Sequence, residues 1–96
     1  MATELAPGVR LTDSALSQIV VQAAESVAGA RVRRPKRRVE IAVDGGRAWV
    51  ELELVAQYGS TLTEVGRTVQ ERVADALRTM TGLEPAAVDV AIEELE

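Results

Sequence analysis

The stretch from Val39 to Leu54 constrains the fold more than any other part of the chain. Apolar side chains occupy every second position from Val39 to Val43 and again from Val50 to Leu54. A period of two is typical of strands with one buried face. The turn residues Asp44-Gly45-Gly46-Arg47 separate the two runs, so the stretch predicts a β-hairpin with one aliphatic face. The opposite face of this hairpin would carry Glu40, Trp49, Glu51, Glu53 and Val55.

A first helix is predicted before the hairpin. Thr12, Asp13 and Ser14 offer side chains that can cap its start, and the helix would end near Gly29. Its apolar residues recur at spacings of three and four, which predicts one buried stripe. The stripe consists of Leu16, Ile19, Val20, Ala23, Ala24 and Val27.

A second helix is predicted after the hairpin. Thr61, with Glu64 three residues later, has the pattern of a capping box. Gly82 is suited to a left-handed residue at the end of the helix, and Pro85 prevents continuation. The predicted buried stripe consists of Leu62, Val65, Val69, Val73, Leu77 and Met80.

The last element is predicted to be a strand, because Val88, Val90 and Ile92 alternate with other residues. The element order is therefore α-β-β-α-β. We expect an α+β fold of two layers, with two helices packed on one face of a three-stranded sheet. A chain of 96 residues suits one domain, so we expect a single domain over 1–96 in which 1–10 form a flexible N-terminal arm.

The absence of cysteine and histidine limits the chemistry of this chain. It removes thiol nucleophiles, thiolate metal sites and the commonest general base. We identify no catalytic, cofactor-binding or metal-binding residues, and we expect a protein that is not an enzyme and needs no cofactor. No stretch approaches the ~20 apolar residues of a membrane span, and the N-terminus carries no apolar signal segment, so we expect a cytoplasmic location.

The segment RVRRPKRR, residues 31–38, places six basic side chains in a chain of net charge −4. Pro35 disfavours a helix, so we expect a loop. It could be a solvated loop that balances acidic residues elsewhere, or a site for an anionic membrane surface or an acidic protein partner. Contact with nucleic-acid phosphates is a further interpretation. The basic residues concerned are Arg31, Arg33, Arg34, Lys36, Arg37 and Arg38.

The outward face of the hairpin holds two further candidate sites. Trp49 and Val55 share the face opposite the aliphatic one, so they either pack against the sheet edge or form an interface with another protein or a second copy. Glu40, Glu51 and Glu53 could together bind a hard cation, but a charged face that keeps the sheet soluble is the simpler interpretation.

The C-terminal half of the chain carries motifs that resemble a known family. These are Tyr58-Gly59, Met80-Thr81-Gly82-Leu83 and Val88-Asp89-Val90. With them the run from Val55 onward resembles the alkaline shock protein family of bacterial envelope stress response proteins, and the first helix fits more loosely. Gly66, Asp89 and the basic segment depart from the family pattern.

This resemblance implies a cytoplasmic, non-enzymatic protein of cell-envelope homeostasis. Some members are held near the membrane by a small membrane-anchored partner and can self-associate. We therefore expect an adaptor or scaffold that acts by protein–protein contacts, with weak contact to an anionic membrane surface and a homo-oligomer as further expectations. The alternative function is a nucleic-acid-binding module that uses residues 31–38.

Overall fold

The computed structural model describes residues 2–33 and 39–96. Its helices are α1 (Asp13–Glu25) and α2 (Leu62–Ala76), and a π-helical turn (Leu77–Thr81) continues α2. The strands are β1 (Ala2–Ala6), β2 (Val9–Thr12), β3 (Ala30–Val32), β4 (Val39–Asp44), β5 (Arg47–Ala56) and β6 (Glu84–Leu95).

The expected three-stranded sheet in the order α-β-β-α-β is wrong, although the mixture of helices and strands is confirmed. The described residues form two sheets, an antiparallel pair of β1 and β2 and a four-stranded sheet of β3, β4, β5 and β6. The strand β3 was missed because it runs into the basic segment, whose charges and proline favoured a loop. The strands β1 and β2 were missed because nearly all of their side chains are exposed, so they lack the alternation of a buried strand.

The strand β5 is the centre of the larger sheet. The strand β6 pairs with it in parallel from Arg47 to Ala56, whereas β3 and β4 pair with it antiparallel. A strand has two edges, so β3 and β4 share the edge that β6 leaves open. Val32 lies opposite Leu54 and Val39 lies opposite Leu52, which places both ends of the intervening segment beside the Glu53 level of β5.

The core lies between one face of this sheet and the two helices. The sheet contributes aliphatic side chains from alternate positions of β5, and both helices contribute a stripe at helical spacing. The residues of α1 and α2 in this core are Leu16, Val20, Val21, Ala24, Val65, Val69 and Val73. Their partners on the sheet include Val32, Ala48, Val50, Leu52 and Leu54.

The predicted start of each helix is found where the sequence indicated, with one difference. At α1, the Thr12 hydroxyl accepts a hydrogen bond from the Ala15 backbone N–H at 3.1 Å. At α2, Thr61 is the N-cap, but its side chain makes no capping hydrogen bond, so the expected capping box is not formed. The position at which each helix starts therefore follows from the sequence signal. Whether the capping side chain forms its hydrogen bond depends on the rotamer that it adopts.

The stripe of the second helix is confirmed at its centre and fails at its ends. Val65, Val69, Val73 and Leu77 are buried, but Leu62 and Met80 are 39% and 60% exposed. The π-helical turn that begins at Leu77 holds more residues per turn than an α-helix, so Met80 no longer lies below Leu77. Gly82 follows with φ of 74°, the left-handed conformation expected for it.

The N-terminal strands β1 and β2 form a separate hairpin at the start of α1. Leu5 and Val9 on it are 38% and 52% exposed. That residues 1–10 are flexible stays a prediction. Within the part of the chain that the structure describes, neither helix combines the length and apolar character that a membrane crossing requires.

Candidate contact surface on the outer sheet face

The larger sheet packs its helices on one face, and among residues 2–33 and 39–96 no helix covers the other face. The exposed centre of this second face consists of two rows of side chains from β4, β5 and β6. We call it the outer sheet face and define it by Glu40, Ala42, Trp49, Glu51, Ala87 and Asp89. It exists because strand residues point alternately to opposite sides, so a sheet with one aliphatic face presents a second set of side chains.

The first row of the outer sheet face is apolar. Trp49 lies in register with Ala42 on β4 and with Ala87 on β6. The side chains of both alanines end at Cβ and are too short to cover the indole ring. Trp49 is therefore 39% exposed. This position agrees with the sequence prediction that Trp49 points away from the aliphatic core.

The second row is acidic. Glu51 lies in register with Glu40 on one side and with Asp89 on the other, which brings three carboxylates abreast on neighbouring strands. Within residues 2–33 and 39–96, none of these three side chains has a hydrogen bond or an ion pair. Open grooves run along this row, and Glu40, Glu51 and Asp89 line both of them.

The acidic row does not form a metal centre in the described part of the chain. No group of three or more potential ligands there is arranged to hold a metal ion. Glu53, the third residue of the predicted carboxylate cluster, lies one row further along β5. Its carboxylate is 3.5 Å from the Arg33 guanidinium, so the row of Glu51 and the row of Glu53 have different electrostatic surroundings.

The alternation predicted that Val55 extends the exposed surface beside Trp49, but the side chain of Val55 is buried. It is only 5% exposed, and its neighbours Leu54 and Ala56 are buried as well. The register shift between Leu54 and Val55 places the extra residue on β6, because Leu54 pairs with Ile92 and Val55 with Glu94, so the alternation along β5 continues and Val55 is a buried residue on the outward side. A role of Val55 in an interface stays a prediction.

The described part of the basic segment is paired with acidic residues. The Arg31 guanidinium forms an ion pair with Glu96, and that of Arg33 approaches Glu53 at 3.5 Å and Glu94 at 3.8 Å. For these two residues the structure supports the charge-balancing interpretation. The other four predicted site residues, Arg34, Lys36, Arg37 and Arg38, lie outside the described residues.

Sequence reasoning found Trp49, Glu40 and Glu51 but missed the residues that complete their rows. Asp89, Ala87 and Ala42 join them only through the pairing of β5 with β4 and β6. The hairpin turn gives the register of β4, so Ala42 was accessible to prediction. The register of the parallel strand β6 follows a long connection through α2, and no local signal reports it.

Comparison with known protein families gives the family of this chain. A family model described as the alkaline shock protein 23 family, with a cell envelope-related function, matches residues 2–96. No curated protein matches the chain closely enough to serve as a relative.

Solved structures of the MamM CTD are similar to this chain. Its copper form has a TM-score of 0.69 at 22% sequence identity and covers 88% of this chain and 87% of its own. A doubly substituted variant has a TM-score of 0.68 at 21% identity, with 88% and 84% covered. A singly substituted copper form has a TM-score of 0.60 at 21% identity, with 86% and 98% covered. At these identities the likeness shows a shared fold alone.

Proposed function

This chain belongs to the alkaline shock protein 23 family, whose function is cell envelope-related, and we propose that it acts there as a non-enzymatic adaptor or scaffold. Its work would consist of protein–protein contacts in the cytoplasm beside the membrane. The partner we propose is a small membrane-anchored protein, and the process is the response of a bacterium to envelope stress.

The exposed position of Trp49 is the observation that carries this proposal. Tryptophan is enriched among the residues that dominate binding energy at protein interfaces, where it fills pockets of the partner. Here the ring is 39% exposed between two alanines, on a sheet face that the helices leave uncovered. An apolar row beside a charged row also has the character of an interface core next to its polar rim.

The proposal places no chemical reaction on the chain. The side chains of the outer sheet face are aromatic, aliphatic and acidic, and their regular rows suit recognition by shape and charge. Weak contact of the basic segment with an anionic membrane surface would add to partner binding. Each basic residue near such a surface contributes at most about 1 kcal/mol, so this contact supports docking and does not replace it.

A deletion strain tests the proposal. We expect loss of the gene to sensitise the bacterium to alkaline and detergent stress and the wild-type gene to restore resistance. The Trp49→Ser variant should fail to restore it, although its unfolding free energy should fall by only about 1 kcal/mol or less, because one exposed cross-strand contact is lost. Arg67→Ser, on the exposed side of α2, is the matched control and should restore resistance fully.

Two results would count against the adaptor role. One is a deletion strain with unchanged resistance to every envelope stress applied. The other is full rescue by Trp49→Ser at normal protein levels, which would show that the outer sheet face has no part in the function.

A further inference from the structure

The larger sheet has an open edge along β6. With twelve residues from Glu84 to Leu95, β6 is the longest strand that the structure describes, and it pairs with β5 on one side only. Among residues 2–33 and 39–96, no strand pairs with its other side. An edge of this kind presents backbone N–H and C=O groups to which a further strand can bind.

The hydrogen bonds of β5 show which residues of β6 present these groups. The Glu53 carbonyl accepts from the Arg33 N–H at 3.0 Å, so it points toward β3. The Ala56 carbonyl accepts from the Glu96 N–H at 2.9 Å, so it points toward the end of β6. Backbone groups alternate between the two edges of a strand, so the even-numbered residues of β5 direct theirs to β6. In a parallel pair, the residues aligned with these direct their own groups away. They are Val88, Val90 and Ile92, which are aligned with Val50, Leu52 and Leu54.

One of these outward groups is already bound by a side chain of α2. The Gln70 amide donates a hydrogen bond to the Val88 carbonyl at 2.9 Å, as expected for a carbonyl that faces away from β5. The N–H and C=O groups of Val90 and Ile92 have no such partner within residues 2–33 and 39–96. We call the outward backbone groups of Val90 and Ile92 the free edge of β6.

The flank of α2 beside the free edge has space for a side chain. Gly66 lies one turn before Gln70 on the same side of the helix. Because α2 returns the chain from the end of β5 to the start of a parallel strand, it runs antiparallel to β6, and Gly66 lies about level with Val90. A Cβ at Gly66 would meet no atom within 4 Å. Glycine destabilises the interior of a helix, and no contact that the structure describes requires it here.

The side chains on the two sides of the free edge differ in character. On the helix side, Val90 and Ile92 are only half-buried, so apolar surface is left there for a partner. On the outer sheet face, Asp89 ends the acidic row and is exposed. A strand added beside β6 would place a side chain next to Asp89, where a basic residue stabilises the pairing and an acidic one opposes it.

The charge of the rest of the chain favours the same kind of partner. Residues 31–38 contain six of the eleven basic side chains and none of the fifteen acidic ones. The remaining residues, which form the body of the domain, therefore carry five basic and fifteen acidic groups, a net charge of −10. Attraction by this charge would bring a basic segment to the edge.

We propose that the free edge of β6 binds an extended segment of another protein as an added strand, and that this segment alternates apolar and basic residues. Its apolar side chains cover Val90 and Ile92 beside Gly66, and its basic side chains lie beside Asp89. Main-chain hydrogen bonds supply affinity in this mode of recognition, and alternate side chains supply specificity. The inference rests on the proposed role in protein–protein contact and gives the form of the partner's segment.

Two occupants from the chain itself fit this edge less well. The strand β4 lies at the other edge of β5, so a strand added to β6 is three strand spacings away from it, about 14 Å. The six residues that separate Val32 from Val39 can extend their backbone by only about 10 Å before they return. The strand β6 of a second copy carries four acidic residues and no basic one, so two such strands would repel each other.

A peptide-binding experiment with purified protein tests the inference. The probe is a capped synthetic peptide, TKVRVKVT, in which basic and apolar residues alternate, and TEVEVEVT is its acidic control. In NMR spectra of the free protein, the amide protons of Val90 and Ile92 should exchange quickly with solvent. Saturation with the basic peptide should protect them, and this peptide should bind about tenfold more tightly than the acidic one.

Two variants test the backbone contact and the space beside it. Val90→Pro removes an N–H of the free edge without removing a hydrogen bond to β5, because this N–H points outward. Val90→Ala is the matched control, since it shortens the side chain and keeps the N–H. Peptide binding should be about tenfold weaker in Val90→Pro than in Val90→Ala. Gly66→Leu should also weaken binding while the helix stays folded, because leucine fills the gap and favours a helix. Circular dichroism checks the fold of each variant.

Four results would overturn the inference. Two are amide protons of Val90 and Ile92 that stay unprotected at saturating peptide, and binding that neither Val90→Pro nor Gly66→Leu weakens in the folded state. Equal binding of the two peptides would contradict the basic character of the segment. Protection of both amides in the protein alone, together with a dimer in sedimentation, would assign the edge to a second copy. Because this test uses a synthetic peptide, its failure leaves the envelope role untouched, and failure of the stress assay leaves peptide binding untouched.

Discussion

The two faces of β5 differ in what the fold requires of them. Ala48, Val50, Leu52 and Leu54 face the helices and are at most 2% exposed, whereas Trp49 and Glu51 on the opposite face are exposed. The same backbone thus supports a packed core on one side and an open surface on the other. Helix packing explains every residue of the first set and none of the second.

This difference separates residues that stabilise the chain from residues that are available for contact. A tryptophan between alanines leaves apolar surface in water, and three carboxylates abreast repel one another. Neither arrangement benefits the isolated domain. Both become favourable when a partner covers the ring and brings positive charge to the acidic row.

The largest expected effect is on the inner face. Leu54→Ala removes a fully buried side chain, so we expect the free energy of unfolding to fall by about 2 to 5 kcal/mol. Glu51→Ala on the same strand is the control and should change it by less than about 1 kcal/mol. Chemical denaturation of both proteins measures the two effects. Equal losses would contradict the division between the faces.

The next largest effect concerns the ion pairs that Arg33 forms with Glu53 and Glu94. Arg33→Ala removes contacts with Glu53 and Glu94 at a partly exposed position, so we expect a loss of about 0.2 to 1 kcal/mol. The changes Arg37→Gln and Arg38→Gln serve as comparison and should leave stability unchanged. If all three cost the same, the described ion pairs have no special part in the fold.

A smaller effect of opposite sign is expected in the acidic row. Glu51→Gln removes the central charge between Glu40 and Asp89, so the isolated protein should become more stable by a few tenths of a kcal/mol. The gain should shrink as salt is added, because exposed charges are screened. Thermal unfolding at two salt concentrations measures it. A loss of stability would mean that the row is not repulsive.

The smallest effect should be the binding of free nucleic acid. Phosphate contacts need only basic residues, but the body of the domain carries a net charge of −10 and opposes close approach of a polyanion. We expect weak binding of DNA and RNA without sequence preference, lost near physiological salt, and modest binding of anionic vesicles at low salt. Tight, sequence-selective binding in a titration would favour the nucleic-acid alternative.

Sequence patterns predicted those parts of the fold that have local causes. The hairpin follows from alternation around Gly45 and Gly46, and the end of the second helix follows from Gly82. The strand β3 could not be predicted in this way, because its place beside β5 depends on pairing with residues far along the chain. The exposure of Met80 depends on a π-helical turn that the apolar spacing does not signal.

The candidate site was predictable to a similar extent. Parity along β5 placed Trp49 and Glu51 on the outward side, because alternation is a local property of strands. Parity did not predict the exposure of Val55, which is only 5% exposed although it continues the alternation of β5. The place of Asp89 in the acidic row could not be predicted, because it depends on the parallel pairing of β6 with β5. The register of that pairing is set by the connection through α2.

The contact role of the outer sheet face is tested most directly by photocrosslinking in living cells. A photoreactive residue would replace Trp49 in one strain and Glu71, on the exposed surface of α2, in another. We expect position 49 to crosslink to an envelope protein or to a second copy, and position 71 to give no such product. Products at position 71 with none at position 49, at equal protein levels, would contradict the assignment of the contact surface.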